Sequence, residues 1–156
     1  MGMNDEQITL IKDTREPDTA WDMYFSAPTV TACLRTGDYS VSGYEDQVAI
    51  ERKTIDDLVG CLGKQRDRFE RELERSRGFE YFAVLVESSY FELENGLYRS
   101  RLHPRSGVES VSAFEVRYKV PFLFCGSAEL AAKKCESLLR KYHREQMKQI
   151  ETELPF

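Results

Sequence analysis

The sequence predicts an α/β domain in which a mixed central β-sheet is flanked by helices on both faces. Four short β-rich runs in the first third of the chain, separated by turn residues, are typical of neighbouring strands. Residues 81–87 are almost continuously apolar, as expected of a central strand that is covered on both faces. Helical and strand patterns alternate beyond them, and that order requires parallel crossovers.

Length and composition predict one soluble intracellular domain. A chain of 156 residues can bury one core, which we place at residues 8–150, between a disordered N-terminus at residues 1–7 and a tail at residues 151–156. The sequence contains neither a secretory signal nor a membrane-spanning run. We therefore expect no membrane partner and a cytoplasmic protein, or a nucleoid-associated one if the host is a bacterium or a phage.

The cysteines indicate neither a zinc site nor a disulfide framework. Cys33, Cys61, Cys125 and Cys135 are far apart in the sequence and form no C-x-x-C pair. We expect reduced and mostly buried thiols.

The first predicted strand, at residues 8–12, leads into the polar segment Asp13-Thr14-Arg15-Glu16, and Pro17 stops it. The strand would deliver Asp13 and Arg15 at its C-terminal end. In the alternative interpretation, Asp13 and Glu16 are only turn residues that cap the strand. Three aromatic side chains that follow are expected in the core: Trp21, Tyr24 and Phe25.

Three further strands, at residues 29–35, 39–42 and 47–53, are predicted to continue an antiparallel meander. Turns at Gly37 and at residues 43–46 would join them. Successive side chains of a strand point to opposite faces, so Glu51 and Lys53 share one face and Ile50 and Arg52 share the other.

Helices dominate the rest of the chain. Thr54 is a suitable N-cap for a long helix that we expect to end near Arg77, with Asp56 and Asp57 in its first turn. The later elements are a strand at 81–87, a helix at 89–98, a basic loop, a helix at 108–118 and a strand at 121–125. Ser127 is expected to cap a final helix that ends near residue 150 and buries Leu130, Leu138 and Leu139.

The chemistry is concentrated in residues 37–57. Asp38 and Glu51 offer the carboxylate oxygens that a hard cation such as Mg²⁺ prefers. Lys53 could orient or help deprotonate a water, or offset negative charge on a phosphate undergoing attack. In the alternative interpretation, Asp38 is a turn aspartate, Lys53 a solvated strand end, and Asp57 a helix-capping acid.

Together, Gly37-Asp38, Glu51-Arg52-Lys53 and Asp57 spell G-D-x(n)-E-R-K-x-x-x-D, downstream of Asp13-Thr14-Arg15-Glu16. This pattern resembles the nuclease domain of the XPF/Hef structure-specific endonucleases, from Thr9 to about Arg140. The resemblance implies a restriction-endonuclease-like core and a metal-dependent DNA endonuclease that prefers branched or flap DNA.

The resemblance also implies roles for individual residues. Asp13, Asp38 and Glu51 would hold Mg²⁺ or Mn²⁺, and Lys53 would assist the attacking water. The remaining members of the motif would shape the site or contact a phosphate: Arg15, Arg52 and Asp57.

The net charge of −5 argues against general nucleic-acid binding, but the distribution of charge offsets this argument. Residues 97–108 contain no acid, and we expect their arginines Arg99, Arg101 and Arg105 to contact DNA. Arg66 and Arg68 are weaker candidates for a phosphate contact.

XPF-type enzymes commonly carry a helix-hairpin-helix module, and only a short tail follows Ile150 here. We therefore expect a homodimer through the final helices, or a partner protein, to supply the missing DNA contacts. Two other functions remain open: a non-catalytic scaffold that pairs with a nuclease or helicase, and a Holliday-junction or restriction-type nuclease that shares only the bare Asp…Glu-x-Lys core.

Overall fold

The computed structural model describes residues 7–18 and 21–153. Residues 1–6 of the predicted disordered N-terminus and residues 154–156 of the predicted tail lie outside these ranges, whereas residues 151–153 continue the last helix. Six strands lie within the described residues: β1 (Leu10–Asp13), β2 (Thr29–Ala32), β3 (Tyr39–Val41), β4 (Val48–Lys53), β5 (Tyr81–Val86) and β6 (Phe122–Phe124). The α-helices of the described residues are α1 (Ile55–Leu62), α2 (Arg66–Arg75), α3 (Tyr90–Glu94), α4 (Pro104–Tyr118) and α5 (Ala128–Glu153).

The strands form one mixed sheet in the order β2-β1-β3-β4-β5-β6. β3 is antiparallel to both β1 and β4, whereas β4, β5 and β6 run parallel to one another. The sheet is covered on both faces, as predicted. One apolar cluster joins Ala49, Val84 and Val86 to α1, α2 and α4, and the other joins Val48, Ile50 and Leu85 to α5.

The prediction of a simple meander is wrong at β2. This strand pairs with β1 in parallel and lies at the sheet edge, with Leu10 opposite Thr29 and Asp13 opposite Ala32. The connection from β1 to β2 spans residues 14–28, long enough for the chain to return and run in the same direction. β2 also ends at Ala32, before the predicted Arg35.

The single long helix predicted after Thr54 is two helices. α1 ends at Leu62, and the N–H of Gln65 donates to the carbonyl of Gly60 at 2.9 Å as the chain turns into α2. Glycine is a poor helix former, and α1 ends just before Gly63. The break sets α2 in its own orientation over the sheet.

Several other predicted features differ in detail. α4 begins at Pro104 rather than at residue 108, because His103 caps it and proline suits the first helical turn. Leu130 is 54% exposed rather than buried, and Cys33 is exposed, although Cys61 and Cys135 are buried. In the stretches that the structure describes, every helix is too short or too polar to span a lipid bilayer.

Candidate active site

A cavity of about 290 Å³ opens where the C-terminal ends of β1 and β4 meet α2. We call it the acidic cavity because four carboxyl side chains line it together with a lysine and several arginines. Its charged lining residues are Asp13, Asp38, Glu51, Glu72, Lys53, Arg15, Arg35, Arg68 and Arg75.

Backbone geometry fixes Asp38 at the sheet end of this cavity. The N–H of Asp38 donates to the carbonyl of Ile50, and its own carbonyl accepts from the N–H of Asp13, both at 2.8 Å. Gly37 just before it has a φ of +89°, and a Cβ there would lie 2.7 Å from the Cβ of Ala49. Only glycine fits this close turn without displacing β4, which explains the Gly-Asp pair of the motif.

Glu51 and Lys53 share one face of β4, as the strand alternation predicted. Lys53 Nζ lies 2.9 Å from Glu51 Oε2, and both side chains are largely buried. Burial lowers the pKa of the Lys53 ammonium, but the charge of Glu51 and its other acidic neighbours outweighs this effect, so the pKa lies above its ordinary value. Lys53 is therefore held as a cation beside Glu51.

The carboxyl groups of the cavity repel one another. Burial, followed by the charges of Glu51 and Glu16, raises the pKa of Asp38 to about 10. Burial and the neighbouring Glu51 likewise raise the pKa of Glu72 to about 8. Both shifts mean that the metal-free cavity disfavours further negative charge on these two carboxyl groups, and a bound cation would reverse that preference.

Asp13 lies in the cavity wall, where its carboxylate is already occupied. Oδ2 accepts from Arg15 Nε at 2.7 Å and from the Arg15 backbone N–H at 3.1 Å, and Oδ1 accepts from the N–H of Leu34 at 2.8 Å. Arg15 also donates to the Leu34 carbonyl at 3.2 Å. In this structure Asp13 holds Arg15 and the chain after β2 in place.

Arg52 projects to the opposite face of β4, as predicted, and belongs to a separate buried network. Its Nε donates to Glu87 Oε1 at 2.8 Å, and the same oxygen accepts from Trp21 Nε1 at 2.8 Å. Arg52 Nη1 lies 3.7 Å from Glu16 Oε2, and the Arg52 backbone N–H donates to Asp38 Oδ2 at 2.8 Å. Glu87 therefore anchors this network by accepting from both Arg52 and Trp21.

Asp57 lies outside the lining of the acidic cavity. It occupies the third position of α1, where its N–H donates to Thr54 Oγ1 at 3.0 Å and its carboxylate accepts from the Thr54 N–H at 3.4 Å. This capping box begins α1 directly after Lys53.

The predicted DNA-binding arginines divide into three groups. Arg68 lines the acidic cavity. Arg66 packs between helices instead, donating to Ser110 Oγ at 2.8 Å. Arg99 and Arg101 line a second cavity beside α1, and Arg105 is exposed on the first turn of α4.

Sequence reasoning missed Glu16 and Glu72. Glu16 was part of the Asp-Thr-Arg-Glu segment but was read only as a turn residue, although its charge acts on Asp38. Glu72 lies three residues after Phe69 and one before Leu73, which are both buried. Side chains three residues apart share a helix face, so Glu72 lies on the same face as Phe69. A glutamate within this apolar stripe was the sequence signal that could have identified it.

Two carboxylates, Asp38 and Glu51, fit a divalent cation in this cavity. Within residues 7–18 and 21–153, no three acidic, histidine or cysteine side chains form a ready-made metal cluster. Mg²⁺ commonly takes one or two carboxylates and completes its shell with water and substrate phosphate. The raised pKa of Asp38 agrees with such a site, because a bound cation would stabilise the charged carboxylate.

A mixed six-stranded sheet between two helical layers, with charged groups gathered at the ends of β1 and β4, defines an α/β protein with a restriction-endonuclease-like fold. The sequence model of the ERCC4 domain matches residues 13–138, which is most of the chain. The chain therefore belongs to the ERCC4 domain family, and the resemblance to XPF-type nuclease domains is confirmed.

Solved structures show the same fold. The structure described as XPF from Aeropyrum pernix matches with a TM-score of 0.69 and 23% identity, covering 86% of this chain and 61% of the other. XPF from Aeropyrum pernix in complex with DNA matches with a TM-score of 0.71 and 22% identity, covering 88% and 66%. This chain spans less than two thirds of either relative. No curated protein matches the sequence.

Proposed function

We propose that this domain is a divalent-metal-dependent DNA endonuclease that hydrolyses a phosphodiester bond in branched or flap DNA. One observation carries the proposal: Asp38, from the Gly-Asp part of the motif, lines the same cavity as Glu51 and Lys53, from its Glu-Arg-Lys part. Membership of the ERCC4 domain family supports the reaction class. A structural relative described in complex with DNA supports the substrate class.

In this proposal Asp38 and Glu51 hold Mg²⁺ or Mn²⁺. When bound, the ion would supply Lewis-acid activation of water and neutralise charge on the phosphate. Asp13 positions Arg15 at the cavity wall, because both of its oxygens already accept hydrogen bonds.

The chain's own cations provide the remaining stabilisation. Lys53 is held beside Glu51 in its charged form and can donate to a phosphate oxygen as negative charge builds up in the transition state. Arg68 lines the same cavity and can bind an adjacent phosphate. The backbone N–H of Arg52 donates to Asp38 Oδ2 and thereby holds the Asp38 side chain against β4.

Cleavage of labelled flap, four-way and linear duplex DNA with Mg²⁺ tests the proposal. We expect flap cleavage by the wild type and a loss of at least about a hundredfold for Glu51→Gln, since a carboxylate that would hold the metal ion becomes a neutral amide. Glu109→Gln, which changes an exposed glutamate on α4, is the matched control and should cleave at the wild-type rate.

Other outcomes assign the protein to another class. If neither the wild type nor Glu51→Gln cleaves any of these DNAs with Mg²⁺ or Mn²⁺, the result would contradict catalysis and favour a scaffold. Efficient cleavage of four-way or linear duplex DNA with no preference for flaps would indicate a junction or restriction-type nuclease instead.

A further inference from the structure

A second cavity, of about 710 Å³, lies between α1, the α1–α2 linker and the loop before α4. We call it the basic cavity. Lys64, Arg99 and Arg101 line it and are exposed, whereas its lining residue Val59 is buried and Leu102 is half-buried. The cavity thus combines an apolar floor with a cationic edge.

The loop that forms one wall of the basic cavity is firmly anchored. The backbone N–H of Arg99 donates to Asp56 Oδ1 at 2.9 Å. The Tyr98 hydroxyl donates to the Leu102 carbonyl at 2.6 Å, and both side chains pack against the main apolar cluster. Asp56 is the one acid among the described residues lining the cavity, and its carboxylate is engaged in holding the loop.

The basic cavity adjoins the acidic cavity across a single turn of chain. Lys64 lines the basic cavity, and the next residue, Gln65, lines the acidic one. A single strand of DNA that crosses the α1–α2 linker could therefore occupy both cavities at once.

We propose that the basic cavity binds an unpaired nucleotide of a single-stranded DNA arm. This inference rests on the proposed function and deepens it, because it names the part of the substrate that is held beside the site of cleavage. The three cations suit the phosphates of the strand, and the apolar floor suits the face of a base. The volume lies within the range of about 300–1,000 Å³ that small-molecule sites occupy.

The cavity favours an unpaired nucleotide over duplex DNA. In a duplex the bases are stacked on each other, so only phosphates and groove edges reach a protein surface. Duplex DNA therefore offers no base face that could pack on the apolar floor of the cavity, whereas an unpaired base exposes a flat apolar face.

Gly60 allows the recess to be tested without changing charge. This residue lies in α1 and lines the cavity, and a Cβ built there meets no atom within 4 Å. A larger side chain at Gly60 would therefore project into the open space of the cavity. Leucine also favours the helix more than glycine does, so Gly60→Leu should fold.

The experiment measures fluorescence anisotropy of a short labelled oligothymidylate, and of a blunt duplex, with the full chain in EDTA. We expect Arg101→Ala to bind the single strand about tenfold more weakly, because a hydrogen bond to a charged phosphate is lost. Gly60→Leu should weaken single-strand binding by a similar factor and leave duplex binding unchanged. Lys134→Ala removes an exposed charge from α5 on the other face of the sheet and should bind as the wild type does.

Two results would overturn the inference. Gly60→Leu could bind the single strand as tightly as the wild type, or it could weaken single strand and duplex equally. Thermal melts of each variant confirm that the fold is intact. Because no divalent ion is present, the outcome is independent of cleavage, and a nuclease-inactive protein could still bind in this way.

Discussion

At the scale of single residues, Asp38 is a half-buried carboxyl group whose surroundings disfavour its charged form. Its Oδ2 accepts from the Arg52 N–H, while Glu51 and Glu16 raise its pKa together with burial. The folded protein therefore holds a proton on Asp38 that the unfolded chain, at the ordinary value of 3.8, releases. Stability linked to this group is fully present below about pH 4 and declines as the pH rises towards 10.

Asp38→Asn should stabilise the metal-free protein and abolish cleavage. The amide oxygen can still accept from Arg52, and no proton has to be taken up on folding. We expect the free energy of unfolding to rise by about 1–3 kcal/mol at roughly pH 8 and to lose most of its pH dependence. Urea denaturation in EDTA at several pH values measures this, with Asp46→Asn in an exposed turn as control. A variant less stable than the wild type at every pH would contradict the prediction.

Which residues gather around Asp38 could be predicted only in part. Glu51, Lys53 and Asp38 followed from motif spacing and strand alternation. Glu72 depends on the orientation of α2, which is set by the break at Gly63 and by the packing of Phe69. Such a tertiary arrangement leaves no local sequence signal beyond the apolar stripe itself.

At the scale of elements, the N-terminus of α1 connects the site to helix stability. Lys53 is the last residue of β4, Thr54 is the N-cap and Asp57 completes the capping box. The two side chains act as one device, because each satisfies a backbone N–H of the other residue. Loss of the Thr54 or the Asp57 side chain should loosen the β4–α1 junction, which holds Lys53 in position.

Thr54→Ala and Asp57→Ala should each lower the free energy of unfolding by about 1 kcal/mol. The double variant should lose little more than either single one, since the pair is already broken. Cleavage should fall in both, because Lys53 is less well held. Ser89→Ala breaks the equivalent capping box of α3 with Glu92 and should cost similar stability without reducing cleavage. Additive losses in unfolding experiments, or equal cleavage defects in the Ser89 variant, would contradict this account.

Element types were more predictable than their neighbours. The six strands appear close to their expected positions because alternation and apolar runs are local signals. The parallel pairing of β2 with β1 was missed, because the direction of an edge strand depends on the path of residues 14–28. The break between α1 and α2 was detectable from Gly60 and Gly63, but the continuing apolar spacing masked it.

At the scale of the whole molecule, charge is distributed unevenly over an acidic chain. The net charge is −5, yet the acidic cavity brings its four carboxyl groups together with one lysine and four arginines. The arginines and lysine of the basic cavity lie beside it on the same helical layer. Folding thus creates local fields that the total charge does not reveal.

Mg²⁺ should therefore stabilise the folded protein. A ligand that binds only the folded state at ten times its dissociation constant adds about 1.4 kcal/mol, or roughly 3–5 °C in the unfolding midpoint of a chain of this size. The increase should be larger at high pH, because metal binding must displace the proton that the raised pKa keeps on Asp38.

Differential scanning fluorimetry with and without Mg²⁺ measures this effect. Glu51→Gln should lose the increase, whereas Glu109→Gln, an exposed glutamate on α4, should keep it. If both variants respond as the wild type does, the ion acts on the surface charge in general and the acidic cavity holds no specific site. A response confined to chains with Glu51 intact would locate the ion at β4, because the two variants carry the same change in net charge.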